Sequence, residues 1–388
     1  MRLLVLGHND WWVWRRQGFC TRNAALVREL SARTSVEAVA VVDTPRFRGR
    51  THRPTAHRNA DLTPVAEKTV AVRWSYPLPI PARRPAGRRL NEALSWPGLR
   101  GRLAQWRGAA PLVVLVADPR LMSVAVRLSC DLIVMDVIDD WRYHAWAGRA
   151  AVDAGYALAR RHADLVIGVS RAALEQVGLG YGHVLYNGLH WAAFCDIAPS
   201  AHALPGLRRP VVGYVGVLQE RFDSGLLCQV ARQLSEVTFV LAGPLLHGLP
   251  VELARAPQNV RLVGPLERSL VPAWLAALDA AIVPHRRDGL TASMDPLKLY
   301  EYLAAGRPVV STVASPNPAL RPFVRVATDA GAFAAALTDE LAGDRPEARA
   351  ARRAAVEPCD WAQRADELLE LIDHSLAGRP GQTSSPRP

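Results

Sequence analysis

Residues 295–310 have the sequence Asp-Pro-Leu-Lys-Leu-Tyr-Glu-Tyr-Leu-Ala-Ala-Gly-Arg-Pro-Val-Val, which predicts a loop, a short helix, a turn and a buried strand. Pro296 suits the first position of a helix, and Asp295 before it can accept hydrogen bonds from the amides of the first turn. Gly306 is expected to end the helix. The N-terminus of such a helix favours negative charge, so the stretch predicts an anion site beside a strand end.

Two charged side chains of this helix suggest a ligand. Lys298 lies in the first turn, where the helix dipole disfavours a cation unless a phosphate is close by. Glu301, one turn later, offers a carboxylate that can accept hydrogen bonds from two hydroxyls of a ribose. The alternative is an ordinary capped helix on which Lys298 and Glu301 form an i,i+3 surface pair. The stretch alone leaves both interpretations open.

The C-terminal half alternates predicted strands and helices. Its strands are short apolar runs closed by Gly or Pro, at 211–216, 239–244, 259–265 and 279–284. An amphipathic helix is predicted at 271–278, ahead of the last of these strands. This alternation indicates a doubly wound α/β domain, in which ligands bind outside the carboxyl ends of the strands.

The N-terminal half also predicts an α/β domain. Apolar runs predict strands at 2–7, 36–43, 69–74, 112–118, 132–137 and 165–170, with an amphipathic helix at 21–30. His8 and Asn9 follow Gly7, so the glycine fingerprint of dinucleotide-binding proteins is absent. This absence argues against a dehydrogenase.

The order of these elements, ending in the helix of Lys298 and Glu301, resembles the GT-B glycosyltransferases, in particular the family 4-like enzymes of bacterial surface polysaccharides. The resemblance covers most of 205–376, and 163–170 with 183–188 resemble the end of the first GT-B domain. It implies two Rossmann-like, doubly wound domains facing each other across a cleft. The predicted divisions are an acceptor-side domain at 1–196, a linker at 197–209, a donor domain at 210–358, a helix returning to the first domain at 359–376, and a disordered tail at 377–388.

The chain departs from the family pattern at one position. Many family 4 enzymes have two glutamates separated by seven residues; Glu301 matches the second, which contacts the donor ribose, but Ser293 replaces the first. A related pattern, Asn/Asp-Pro-x-Lys-x-Tyr-Glu-Tyr, fits 295–302 better, and its lysine resembles a diphosphate ligand. The resemblance thus implies a donor site formed by Glu301, Lys298, Leu297, Pro296, Asp295, Ser293, Tyr300, Gly216, Arg221 and His285. For Arg221, a solvated loop arginine is an equal alternative.

Acids at predicted strand ends of the N-terminal half are candidates for the catalytic base. They are Asp118, Asp139 and Asp140, of which the last two form an adjacent pair before a tryptophan. Paired acids can hold one carboxylate with a raised pKa, suited to accept a proton. The alternative is that at least one acid of this pair caps the following helix, and Asp118 before Pro119 has the same alternative.

The loop after the first predicted strand is the candidate acceptor side, represented by His8, Asp10 and Trp11. Its tryptophans can stack on a sugar or touch lipid, since indole combines an apolar body with a polar edge. Packing inside the protein is the alternative.

The formal net charge of +11 comes from one segment. Residues 44–110 contain 14 Lys and Arg against 3 Asp and Glu, and the rest of the chain balances at 33 against 33. Within it, Leu90, Leu94, Leu103 and Trp106 recur at helical spacing among arginines, which resembles a helix lying on anionic lipid. Pro97 and Gly98 are expected to break that helix. A solvated arginine-rich surface is the alternative; nucleic-acid binding is not expected, because no matching motif accompanies the charge.

Composition limits the remaining classes. The five cysteines are scattered, so neither a disulfide framework nor a zinc site is expected. No apolar run suits a signal peptide or a membrane span. We therefore expect a cytoplasmic protein, soluble or peripheral at the inner face of the membrane.

The resemblance predicts a glycosyltransferase that moves a sugar from a nucleotide-diphosphate donor to a carbohydrate or lipid-linked acceptor, without a cofactor or required metal. The alternative is a sugar-nucleotide epimerase or a non-catalytic nucleotide-sugar-binding protein. A glycosidase is disfavoured, because it would have no use for an anion-binding helix.

Overall fold

The computed structural model describes residues 1–47, 61–80, 85–197, 204, 206–246 and 248–378. The chain divides into two compact units. Unit 1 contains Met1–Leu185 and the chain from Ala365 onward, and unit 2 is Tyr186–Arg364. The predicted disordered tail at 377–388 falls outside the described residues from 379 onward.

The strands of unit 1 are β1 (Arg2–Leu6), β2 (Ala38–Val42), β3 (Arg46–Phe47), β4 (Leu62–Ala66), β5 (Thr69–Val72), β6 (Ser75–Tyr76), β7 (Leu112–Val116), β8 (Leu132–Val137), β9 (Leu165–Gly168) and β10 (His183–Val184). Within the described ranges, eight of them form a sheet in the order β10-β9-β8-β7-β1-β2-β5-β4. Its pairings are parallel except for β4 with β5. The predicted strands at 2–7, 36–43, 69–74, 112–118, 132–137 and 165–170 are confirmed as β1, β2, β5, β7, β8 and β9.

Helices connect these strands. They are α1 (Trp11–Arg16), α2 (Arg22–Ala32), α3 (Pro85–Trp106), α4 (Met122–Ala125), α5 (Arg149–His162) and α6 (Arg171–Gln176). The central strands are apolar along their whole length because both faces of a parallel sheet are covered. All five residues of β7, for example, are buried.

Helix α3 corrects one prediction, since it runs unbroken through Pro97 and Gly98. Both halves of the helix are held by packing, which offsets the loss of one internal hydrogen bond at proline. Leu99, Leu103 and Trp106 are buried in the core after the proline. Before it, the buried Asn91 accepts a hydrogen bond from the Leu78 amide at 2.9 Å.

The strands of unit 2 are β11 (Val211–Val215), β12 (Thr238–Ala242), β13 (Val260–Gly264), β14 (Ala280–Val283), β15 (Val309–Ser311) and β16 (Val324–Val326). They pair in parallel in the order β13-β12-β11-β14-β15-β16. Its helices are α7 (Ser224–Gln233), α8 (Val251–Ala254), α9 (Val271–Ala276), α10 (Leu297–Ala304), α11 (Ala330–Gly343) and α12 (Pro346–Val356). Alternate residues of β11 and β12 enter two separate apolar cores, so helices cover both faces of this sheet.

The last helix, α13 (Trp361–Ala377), begins in unit 2 and continues into unit 1 from Ala365. The residues after Leu185 cluster with unit 2, ahead of the linker predicted at 197–209. Backbone hydrogen bonds explain this division, because the Leu189 amide donates to the Cys359 carbonyl at 3.0 Å and the Trp361 amide donates to the Leu189 carbonyl at 2.9 Å. No helix within the described ranges has the length and apolar character needed to span a bilayer.

Candidate active site

The order of strands reverses between β11 and β14 in unit 2, and ligands of doubly wound sheets bind at such a point. Gly216 follows β11 there, with φ +148°, and His285 follows β14. A Cβ on Gly216 would lie 3.3 Å from Cε and 3.5 Å from Nζ of Lys298. Glycine is therefore needed at 216, both for its backbone conformation and because the lysine side chain passes over it.

Helix α10 is fixed to this strand end by Tyr302. Its buried hydroxyl accepts a hydrogen bond from the Val215 amide at 2.8 Å and donates to the Val215 carbonyl at 3.2 Å. Burial raises the pKa of Tyr302 well above 10, so the phenol stays protonated and can make both bonds. Sequence reasoning did not single out Tyr302, although it is the second tyrosine of the Tyr-Glu-Tyr pattern.

Lys298 is a half-buried cation with no ion pair among the residues that the structure describes. Its Nζ lies 5.0 Å from the centre of the Tyr214 ring. Desolvation by burial and, to a smaller extent, the positive charge of Arg221 together lower the pKa of Lys298 to about 7, against the opposing effect of Glu301. An anion bound here would restore the lysine's charge.

His285 and Arg221 surround the same place. His285 is 1% exposed, and neither ring nitrogen has a hydrogen-bond partner in the described part of the chain. Burial, together with the charges of Lys298 and Arg221, lowers the pKa of His285 well below 6.5, so this ring is neutral at physiological pH. The half-buried Arg221 has its Nη1 3.7 Å from Sδ of Met294.

Glu301 pairs with Arg268 and not with Lys298, which excludes the proposed surface pair within α10. The Glu301 side chain is 12% exposed and that of Arg268 is 33% exposed. Arg268 lies in a short 3₁₀ turn before α9, and no sequence motif distinguishes it.

The start of α10 differs from its prediction. The helix begins at Leu297 with Pro296 as its N-cap, and no side chain caps it. The buried carboxylate of Asp295 instead accepts hydrogen bonds from the Asn187 amide and from the Tyr300 hydroxyl of α10, both at 2.7 Å.

The end of the helix and Ser293 complete the predicted donor set. Gly306 has φ +72°, and the Arg307 amide donates to the Tyr302 carbonyl at 3.0 Å, as expected for a glycine-terminated helix. The buried Ser293 hydroxyl donates to the Leu290 carbonyl at 3.1 Å. Ser293 therefore stabilises the loop that leads to the helix.

In unit 1 the order of strands reverses between β1 and β7. Asp118 follows β7, and Asp140 follows the neighbouring β8. Each buried carboxylate accepts a hydrogen bond from the amide two residues later and binds that residue's guanidinium, Arg120 at 2.6 Å and Arg142 at 2.7 Å. The capping interpretation thus describes the geometry of Asp118 and Asp140, and each carboxylate is also fixed in place by the guanidinium of the neighbouring arginine.

Asp139 has a different environment. Its side chain is 23% exposed, and its Oδ2 lies 4.0 Å from Nε2 of His144. Its carbonyl accepts a hydrogen bond from the Tyr156 hydroxyl at 3.1 Å. Among the three predicted catalytic acids, Asp139 is the one that combines exposure with a neighbouring imidazole.

The predicted acceptor-side residues have different environments in the structure. Asp10 caps α1 by accepting a hydrogen bond from the Val13 amide at 2.9 Å, and Trp11 is 6% exposed, so Asp10 stabilises the start of the helix and Trp11 packs in the core. His8 is exposed, and its ring stacks on Trp146 with 4.5 Å between centroids. Sequence reasoning missed Trp146. The described ranges contain no cluster of three His, Cys, Asp or Glu residues suited to a metal.

Comparisons with known proteins agree on the fold. Residues 209–344 match the family described as Glycosyl transferases group 1. A protein named as a teichuronic acid biosynthesis glycosyltransferase, TuaH of Bacillus subtilis (strain 168), is 32% identical over 148 residues. That match covers 37% of this chain and 37% of the relative, so the chain spans about a third of the curated relative it matches.

Solved structures resemble the whole chain. The crystal structure of Anabaena Alr3699/HepE in complex with UDP and glucose has a TM-score of 0.67 at 17% identity, covering 96% of this chain and 100% of that one. A lipopolysaccharide outer core galactosyltransferase, WaaB, has a TM-score of 0.63 at 13% identity, covering 96% of this chain and 99% of that one. The chain has the two-domain GT-B fold, which confirms the predicted architecture class.

Proposed function

We propose that this chain, whose residues 209–344 match the family of group 1 glycosyl transferases, transfers a sugar from a nucleotide-diphosphate sugar to a carbohydrate or lipid-linked acceptor in glycan or polysaccharide biosynthesis. The observation that carries the proposal is Lys298 lying over Gly216 at the strand reversal of unit 2 without an ion-pair partner in the described part of the chain. The structurally similar Anabaena Alr3699/HepE, crystallised in complex with UDP and glucose, supports the same ligand class.

The diphosphate leaving group explains the charges at this place. When the bond between the sugar and the diphosphate breaks, negative charge develops on the phosphate oxygens. Fixed cations stabilise such charge best where water is excluded. In our proposal Lys298 and Arg221 supply this stabilisation, with the amides that begin α10 at Leu297, and no metal is required.

Glu301 is the proposed partner of the donor ribose. A carboxylate accepts hydrogen bonds from two vicinal hydroxyls, and the ion pair with Arg268 holds the Glu301 side chain in position. Donor binding would then place the ribose hydroxyls against a carboxylate that is already oriented.

On the acceptor side we assign proton acceptance to Asp139 or to His144 beside it. Both oxygens of Asp140 accept from the Arg142 guanidinium, and both oxygens of Asp118 accept from that of Arg120. These two acids therefore act in the proposal as positioning groups for their loops.

A thermal-shift panel of nucleotide diphosphates and their sugars tests the proposal. A ligand at a hundred times its Kd stabilises the folded state by about 2.7 kcal/mol. Nucleotides with the nucleobase that the site accepts should therefore raise the melting temperature clearly more than nucleotides with other nucleobases. The best donor is then incubated with candidate acceptors and the products are analysed. Glycoside formation supports transfer, whereas an epimerised donor or binding without turnover would establish the alternative functions.

We also propose that α3 attaches unit 1 to the inner face of an anionic membrane. Its exposed side carries Leu90, 47% exposed, and Leu94, 54% exposed, together with the exposed Arg89 and Arg100. This pattern fits an interfacial helix. Other arginines of the segment are engaged within unit 1: Arg88 pairs with Glu92 and Arg102 pairs with Asp61.

Vesicle flotation tests the attachment. Because each basic residue near an anionic surface contributes about 1 kcal/mol, a variant with Arg89→Gln and Arg100→Gln should lose roughly tenfold or more of its binding to vesicles containing phosphatidylglycerol. The matched control is Arg255→Gln with Arg261→Gln, which removes the same charge from exposed positions of unit 2. Equal binding by both variants would refute the assignment to α3.

A further inference from the structure

We propose that a cluster of aromatic rings in unit 1 binds the apolar face of a pyranose ring, which makes the acceptor a carbohydrate rather than a simple lipid alcohol or phosphate. We call the rings of His8, Trp141, His144 and Trp146 the aromatic shelf. The proposal rests on the proposed function only in naming this sugar as the acceptor.

The sheet topology places the shelf where a ligand is expected. The strand order of unit 1 reverses between β1 and β7, and the crevice outside the carboxyl ends at a reversal is the usual binding place of this fold class. His8 follows β1, and the loop from Trp141 to Trp146 follows β8, the other neighbour of β7. Separate strand ends thus contribute rings to one surface.

The rings contact each other closely. Trp146 stacks with His8 at 4.5 Å between centroids and with His144 at 5.5 Å, and it meets the edge of Trp141 at 5.4 Å. His8 also contacts Trp141 edge to face at 5.3 Å. Such contacts fix the orientation of the rings before a ligand arrives.

Arg120 holds the shelf in place. Its Cζ lies 5.1 Å from the Trp146 ring and 5.3 Å from the Trp141 ring, a cation–π geometry. The guanidinium is also bound to Asp118 at 2.6 Å. Since this charge is already paired, the shelf offers an incoming ligand an aromatic surface rather than a strong anion site.

Exposure distinguishes the shelf from ordinary packing. Trp141 is 6% exposed, but Trp146 is 47% exposed and the adjacent Tyr143 is 51% exposed. A pyranose has one face of C–H bonds, which suits such rings, and hydroxyls at its edge. Asp139 and His144, 4.0 Å apart at Oδ2 and Nε2, are polar groups at the same place that can bind those hydroxyls.

Saturation-transfer NMR with methyl glycosides of glucose, galactose, mannose and glucuronic acid tests the proposal without knowledge of the natural acceptor. Wild-type protein should transfer saturation to ring protons on one face of at least one glycoside and not to glycerol, which has hydroxyls but no ring. Trp146→Ala should reduce the affinity about two- to tenfold, and Trp146→Phe should retain part of it. Tyr181→Ala is the control, because Tyr181 is a 63% exposed aromatic residue of unit 1 outside the shelf.

Two outcomes overturn the proposal for the aromatic shelf. Either no glycoside receives saturation from the wild-type protein, or a glycoside receives as much from a Trp146→Ala variant with native circular dichroism as from wild type. Nucleotide binding is measured on the same variants. If the glycoside binds at Trp146 but no nucleotide diphosphate binds, the shelf stands and the transferase proposal fails. If nucleotides bind and glycosides do not, the shelf alone is refuted.

Discussion

Glu301→Ala is expected to weaken donor binding about a hundredfold, because it removes a carboxylate proposed to accept two ribose hydroxyls, each worth about 1.5 kcal/mol or more. Isothermal titration with the nucleotide sugar selected by the thermal-shift panel measures the effect. Donors with a 2′-deoxy or 3′-deoxy ribose test the contact directly. Wild type should bind each of them more weakly than the unmodified donor, whereas Glu301→Ala should bind all three equally.

The matched control is Glu236→Ala. Glu236 also pairs with an arginine of unit 2, Arg208. Because Glu236 precedes β12, it lies at the amino ends of the strands, opposite the carboxyl ends where the donor is proposed to bind. Arg268→Met removes the guanidinium of the ion pair but leaves the Glu301 carboxylate in place. It therefore tests the contribution of the ion pair separately from ribose binding. If Glu301→Ala still discriminates against deoxy donors as strongly as wild type, Glu301 does not bind the ribose.

Lys298 should make donor affinity depend on pH. Its pKa of about 7 means that the free enzyme loses this charge as pH rises through neutrality, so binding an anion then requires uptake of a proton. Affinity for a nucleotide sugar, whose diphosphate keeps its charge in this range, should fall by up to about tenfold per pH unit above 7. His285 adds nothing to this profile, because its pKa lies well below 6.5 and the ring stays neutral.

Two substitutions at Lys298 identify the titrating group. Lys298→Arg keeps a permanent cation, so binding should persist and become independent of pH. Lys298→Met should bind weakly at every pH and slow transfer, because the stabilising charge is lost. A wild-type pH profile retained in Lys298→Met would assign the titration to another group and remove the donor site from this position.

The same residue has an expected effect on stability. In the folded protein its pKa is about 7, against 10.5 ordinarily, so the unfolded chain holds a proton that the folded chain lacks between these values. Lys298 therefore destabilises the folded state fully below pH 7, and this effect disappears as pH rises toward 10.5. Lys298→Met should melt at a higher temperature than wild type at pH 7, with the difference shrinking at alkaline pH.

Short-range patterns predicted the framework of this protein. Apolar runs identified the central strands of both sheets, because a strand covered on both faces must be apolar throughout. Gly306 and the residues around α10 identified the end of that helix from local backbone preferences. The strands that escaped prediction, such as β3, β6 and β16, are short or partly exposed, and their apolar pattern is weak.

The amino-acid sequence by itself determined the α/β class, helix α10 and its charged residues Lys298 and Glu301, because these depend on local periodicity, capping and residue type. Tertiary structure alone decided their partners. It placed Arg268 on Glu301, turned Asp295 toward Asn187, continued α3 through Pro97, and gathered His8 and Trp146 from separate strand ends. Such contacts join residues far apart in the chain, and the energy of packing them outweighs the local preferences from which sequence predictions are made.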